Sequence, residues 1–153
     1  MQDEMKLEDY GNFLSEVTGK INSTLAESTS KRAESYLTLH WEIGRLIVEM
    51  QENASWGTSV VEKLSQDLRK EFPKLKGFSR ANLFFMRRWY LFYYKSDPEI
   101  QKLIRKIPWG HNLLIINKAK GLEEAVFYIN KTIEHNWRRE VLLQQVRGKL
   151  FYQ

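Results

Sequence analysis

The chain has 153 residues, 42% hydrophobic and 28% charged, the balance of a soluble globular protein long enough to bury a core. It has no cysteine, so disulfides and thiolate metal sites are excluded. Its three histidines, His40, His111 and His135, are spaced too far apart for a ligand motif, so neither a metal nor a cofactor is expected. Net charge is +5, but residues 1–30 hold six acids and two bases, a net of −4, which leaves +9 on residues 31–153; a polyanion would meet that later part.

The first residues, MQDEMKLEDYGNF, are acidic and lack the basic and apolar blocks of a signal peptide. No run of eighteen apolar residues exists, and Arg87 and Arg88 interrupt the best candidate. A cytoplasmic protein without membrane contact is expected. Its organisation reads as an acidic, helical N-terminal segment, 1–30, followed by a helical DNA-binding domain, 31–153.

The first strong helix is expected over 31–51. Thr38, Glu42, Arg45, Glu49 and Glu52 form one narrow polar stripe at helical spacing, and the remaining sides are apolar. Arg45 is placed to pair with Glu42 and Glu49. Gly44, inside the helix, costs about 1 kcal/mol against alanine; close approach of another helix or an aromatic ring would explain it. The dipeptide Trp-Gly at 56–57 recurs at 109–110, a slight hint of repetition.

In SWGTSVVEKLSQDLRKEF, Thr58 or Ser59 is a candidate N-cap, and Val60, Leu64, Leu68 and Phe72 recur every four residues as an inner ridge. Pro73 ends that helix. The basic turn PKLKG follows, with Gly77 free to take a positive φ angle. Ser79 then caps the next helix, completing a helix–turn–helix-like pair.

That next helix is the chain's most unusual stretch. From Phe84 to Tyr94 seven of eleven residues are aromatic, yet Arg87 and Arg88 sit among them. Leu83, Met86, Trp89, Tyr90 and Tyr93 share one side and are expected in the core. Between Arg69 and Arg88 there are seven bases and one acid, Glu71. Lys74, Lys76, Ser79, Arg80, Asn82, Arg87 and Arg88 are therefore the first candidates for nucleic-acid contact, because the N-terminal half of the second helix of such a pair meets phosphates and base edges. A continuous basic face along Arg80, Arg87 and Arg88 favours that reading. An exposed aromatic patch at Phe84, Phe85 and Phe92 favours a protein-docking or dimerisation module instead.

Pro98 and Pro108 mark further helix breaks. The run NLLIIN at 112–117 suits a strand or a buried helix equally. In LEEAVFYINKTIEHNW the inner face is expected to be Ala125, Phe127 or Tyr128, Ile129 and Ile133. Asn136 is the candidate N-cap of a last helix, whose exposed bases Arg138 and Arg139 join the nucleic-acid candidates. His111 reads as a structural histidine. The fold class is all-α, of five to seven helices, with one or two helix–turn–helix-like units.

No phosphate-binding glycine motif is present, and no nucleophile motif surrounds the histidines. The one Glu-x-Lys, Glu4-Met5-Lys6, has no strand before it, so the acid-x-Lys core of a magnesium nuclease is missing. No catalytic activity is expected of this chain.

Several segments resemble the N-terminal domain of YhcG-type proteins: LHWEIGRLIVEMQ (39–51), WGTSVVEKLSQDLRKEFPKLKGFSRANLFFMRRWYLFY (56–93), IPWGHNLLIINK (107–118) and AVFYINKTIEHNW (125–137). The resemblance covers roughly residues 15–150. It implies a helix–turn–helix-like DNA-binding or specificity module that precedes a PD-(D/E)XK nuclease domain, itself beyond the end of this sequence, in DNA processing or defence. The implied partners are DNA, that nuclease domain in cis or trans, and a possible second copy. Arg138 departs from the family pattern, which usually has serine there.

Overall fold

The computed structural model describes residues 2–54 and 57–153, with side chains for 7–53 and 57–153. Trp56 of the first Trp-Gly dipeptide lies outside the described residues. The protein is all-α: α1 (Gln2–Leu25), α2 (Thr29–Ala54), α3 (Ser59–Glu71), α4 (Arg80–Tyr93), α5 (Pro98–Leu103), α6 (Trp109–Lys118), α7 (Leu122–His135) and α8 (Arg139–Arg147). Single 3-10 turns follow α5 (Ile104–Lys106) and α8 (Leu150–Tyr152). The described residues thus hold eight α-helices, above the expected five to seven, because the C-terminal part is cut into short pieces at Pro98, Pro108 and Asn136. The chain divides into two compact units, Met1–Tyr90 and Leu91–Gln153.

In the first unit α1 and α2 form an antiparallel hairpin. Phe13, Val17 and Ile21 are buried along α1, as are Leu39, Ile43, Leu46, Ile47 and Met50 along α2. The polar stripe of α2 stays at the surface, where Arg45 donates to Glu42 and Glu49, each at 2.8 Å. α3 buries Val60, Val61, Leu64 and Leu68 completely. Its charges follow the helix dipole, with Glu62 in the first turn and Arg69 and Lys70 in the last. Thr58, one of the two expected N-caps, does stand at that position, but it is itself in a helical conformation and makes no side-chain capping bond. Tyr10 donates to Asp67, tying α1 to α3.

Of the expected core side of α4, Leu83, Met86, Trp89 and Tyr93 are fully enclosed, while Tyr90 is half-buried. Trp41 meets Trp89 edge-on at 5.7 Å and Tyr90 at 5.0 Å. Full truncation of such a ring costs about 3–5 kcal/mol, so this aromatic cluster is a main anchor of the unit.

In the second unit Asp97 caps α5 by accepting from the Glu99 amide at 3.0 Å, with Pro98 at the first helical position. The run at 112–117 lies inside α6, which buries Leu114, Ile115 and Ile116. Asn112, fully enclosed, donates through its amide to the carbonyls of Ile104, Ile107 and Pro108 at 2.9, 3.2 and 3.3 Å. α7 buries Ala125, Tyr128, Ile129 and Thr132. Ile133, expected inside, is 40% exposed; Thr132, one residue earlier, takes the inward position.

Candidate nucleic-acid interface

The turn between α3 and α4 is ordered by its own chemistry. Phe78 is buried and packs against Phe72 at 6.4 Å between ring centres. The Ser65 hydroxyl, from inside α3, donates to the Phe78 carbonyl at 2.7 Å. Gly77 adopts a φ of +104°, where a side chain would be strained. Ser79 accepts the Asn82 amide at 3.1 Å and is the N-cap that the sequence led one to expect. The Asn82 side chain donates to the Gly77 carbonyl at 2.7 Å, so it serves as a strut of the turn. Lys74 and Lys76 are exposed on this frame. The connection runs eight residues, 72–79, against the about three to four of a compact helix–turn–helix.

Arg80, Arg87 and Arg88 differ in setting. Arg80 is exposed, lies over the Phe84 ring at 4.9 Å and stands 4.0 Å from Glu62. Arg88 is exposed, about 100° round the helix from Arg87. Arg87 is half-buried, and its Nε donates to the side-chain carbonyl of Gln51 on α2. Gln51 in turn donates to the Gly57 carbonyl at 2.8 Å. Among the described residues no carboxylate lies within ion-pair distance of Arg87. Arg69, Lys70, Lys74 and Lys76 likewise make no ion pair among them. A neutral amide brings no counter-charge to a partly desolvated guanidinium, and an anion placed there gains more than it would in open water. Phe84, Phe85 and Phe92 are half-buried, while Leu91 and Tyr94 are 36% and 41% exposed.

Arg138 and Arg139 belong to the second unit and the other seven candidates to the first. Asn136 does not cap α8, as the sequence suggested. It ends α7 in the left-handed conformation, φ 50°, a role for which asparagine is suited second only to glycine. Arg138 occupies the N-cap of α8 without a side-chain capping bond. Arg139 runs over Gly110 on α6: a Cβ there would meet Arg139 Cδ at 3.5 Å. His111 is structural, donating from Nε2 to the Trp137 carbonyl at 2.8 Å.

Two polar residues escaped the sequence reading. Gln51 orients Arg87 across a separation of 36 residues, which no local pattern signals. Glu124 is buried in the first turn of α7 and accepts from the Lys120 amide at 2.8 Å and the Tyr152 hydroxyl at 2.9 Å. A first-turn glutamate reaching back to a preceding amide is half of a capping box; with Gly121 at the N-cap the sequence carries only that half. The groove between α1 and α2, about 920 Å³, is lined by Glu16, Glu27, Glu34 and Glu42 against Lys20 and Lys31, the wrong sign for a polyanion. Among the described residues no group of three or more His, Asp or Glu side chains is arranged to hold a metal ion, and no helix is long and apolar enough to cross a membrane.

An all-α domain with an ordered basic turn between two of its helices is the class that this geometry defines. The model of the DUF1016 N-terminal domain matches residues 16–153, and the chain belongs to that family, the family of the YhcG-type N-terminal domains. No curated protein and no solved structure matches the chain.

Proposed function

We propose that the chain is a non-catalytic DNA-binding module of the cytoplasm, which positions a PD-(D/E)XK nuclease domain supplied in cis or in trans. The observation that carries the reading is Arg87: a half-buried guanidinium, oriented by a neutral glutamine, with no carboxylate beside it among the described residues. Arg80 and Arg88 extend the charge along α4, and Lys74 and Lys76 extend it along the preceding turn. Ser79 opens the helix whose first amides favour a phosphate. These groups address the backbone of the duplex, so they give affinity and register more than sequence choice. The pairing with a nuclease rests on the resemblance to YhcG-type proteins.

A titration of duplex DNA at several salt concentrations tests the reading. Binding whose logarithm falls linearly with the logarithm of salt supports it; no duplex binding at low salt contradicts it. The exposure of Leu91 and Tyr94 favours a second reading, a protein-docking or dimerisation module, which predicts association without that salt slope.

A further inference from the structure

The corner between α7 and α8 carries a feature of a different kind. His135 and Trp137 stack nearly parallel, with ring centres 5.6 Å apart and planes inclined by 19°. In the first unit Trp41 meets Trp89 edge-on at 86°, and Tyr10–Phe13 and Phe72–Phe78 are tilted by 52° and 51°. A parallel stack whose outer member is exposed offers a flat face to one more flat ring, and His135 is 46% exposed at its side chain.

The backbone bearing this pair is fixed at three points. Asn136 holds the left-handed turn, the Trp137 amide donates to the Thr132 carbonyl at 3.2 Å, and His111 donates to the Trp137 carbonyl at 2.8 Å. The rings are therefore presented in place before any ligand arrives.

Charge beside the stack has the sign of a phosphate partner. Arg138 and Arg139 follow directly, both exposed and without an ion pair among the described residues. Glu134 is 3.8 Å from His135 and 3.7 Å from Lys131, which offsets it. Glu140, exposed in the first turn of α8, is the acid that remains, against two arginines.

We propose that the His135–Trp137 stack, with Arg138 and Arg139 beside it, is a binding site for an unpaired nucleobase of a single strand. Base-on-ring stacking reads no particular sequence, since every base has a π face, and the arginines meet the flanking phosphates. A duplex interior cannot use such a platform, because its bases are already stacked and paired. The site lies in the second unit and stands or falls separately from the α3–α4 reading.

The test is a set of anisotropy titrations of the full chain with labelled oligo(dT), oligo(U) and a mixed-sequence duplex. The wild type is expected to bind at least one of the two single strands, and the tighter of them distinguishes DNA from RNA. His135→Ala is expected to weaken that binding roughly 5- to 150-fold, His135→Phe to restore it by keeping a flat ring, and neither to alter duplex binding. The proposal is overturned by a wild type that binds neither single strand, by His135→Ala with unchanged single-strand affinity, by His135→Phe no better than alanine, or by an equal loss on the duplex. Single-strand binding without duplex binding sinks the α3–α4 reading and leaves this one standing.

Discussion

Gly44 on α2 and Met86 on α4 bring their two helices into backbone contact. A Cβ at Gly44 would lie 2.9 Å from the Met86 carbonyl carbon and 3.0 Å from the Tyr90 Cβ, with the Met86 carbonyl oxygen nearer still. Trp41 packs on Trp89 and Tyr90 beside this crossing. The close approach sets the register of α4 on α2, and that register brings Arg87 opposite Gln51, two turns beyond Gly44.

Gly44→Ala is expected to destabilise the protein even though alanine is the better helix former. The helix gains about 1 kcal/mol. Backbone cannot move aside as a flexible side-chain end can, so overpacking costs roughly 1–3 kcal/mol, which leaves a net loss of up to about 2 kcal/mol. Urea midpoints of the two proteins measure it; a higher midpoint for the variant would show that α4 is not held against α2 in this way.

Acid should loosen the first unit through His40. Burial lowers its pKa from 6.5 to about 4. Between those values the unfolded chain binds a proton that the folded chain refuses. The stability contribution is therefore complete above the unfolded pKa and is lost as pH falls toward about 4, a change of roughly 1–3 kcal/mol for a side chain that is not wholly enclosed. His40→Gln does not titrate there. Stability measured at pH 7, 5.5 and 4.5 should fall less steeply in the variant, and parallel curves would contradict the assignment.

How far the sequence spoke for the fold depends on the range of each interaction. The inner side of α4 was legible because Leu83, Met86 and Trp89 repeat at the helical period, and the period is local. The purpose of Gly44 was legible in kind, a close approach, but its partner Met86 lies 42 residues away and leaves no mark near it. Asn136 was misread because asparagine suits both a helix start and a left-handed helix end, and the chain has one of each within three residues. The basic segment was visible as composition. The half-burial of Arg87 and its hydrogen bond to Gln51, 36 residues away, were not visible at all.

Arg138→Ser should make the protein more stable and a weaker binder. Arg138 sits at an N-cap, φ −72° and ψ 159°, with no side-chain bond to the first-turn amides. A serine hydroxyl there accepts one of them and adds about 0.5–2 kcal/mol. If Arg138 also meets a phosphate, the slope of log affinity against log salt becomes shallower by roughly 0.7–0.9. Thermal or urea unfolding reads the first effect and titration the second; unchanged stability would rule out the vacant cap.

The chain alone should not cut DNA. Its one Glu-x-Lys, Glu4-Met5-Lys6, lies within α1 rather than on a strand. Incubation of purified protein with plasmid and magnesium or manganese is expected to leave the plasmid intact. Cleavage that disappears when an acidic residue of this chain is replaced would contradict the non-catalytic assignment.

The central claim, that α4 and its preceding turn face nucleic-acid phosphates, is tested most directly by the double variant Arg87→Ala, Arg88→Ala. Duplex binding of wild type and variant is measured between low and physiological salt, with both confirmed as folded. Removing one arginine from a phosphate should reduce the log–log salt slope by roughly 0.9, about 1.8 for the pair, with the affinity gap widest at low salt. Identical affinities and slopes would remove these arginines from the binding surface and leave α4 as a face for docking protein.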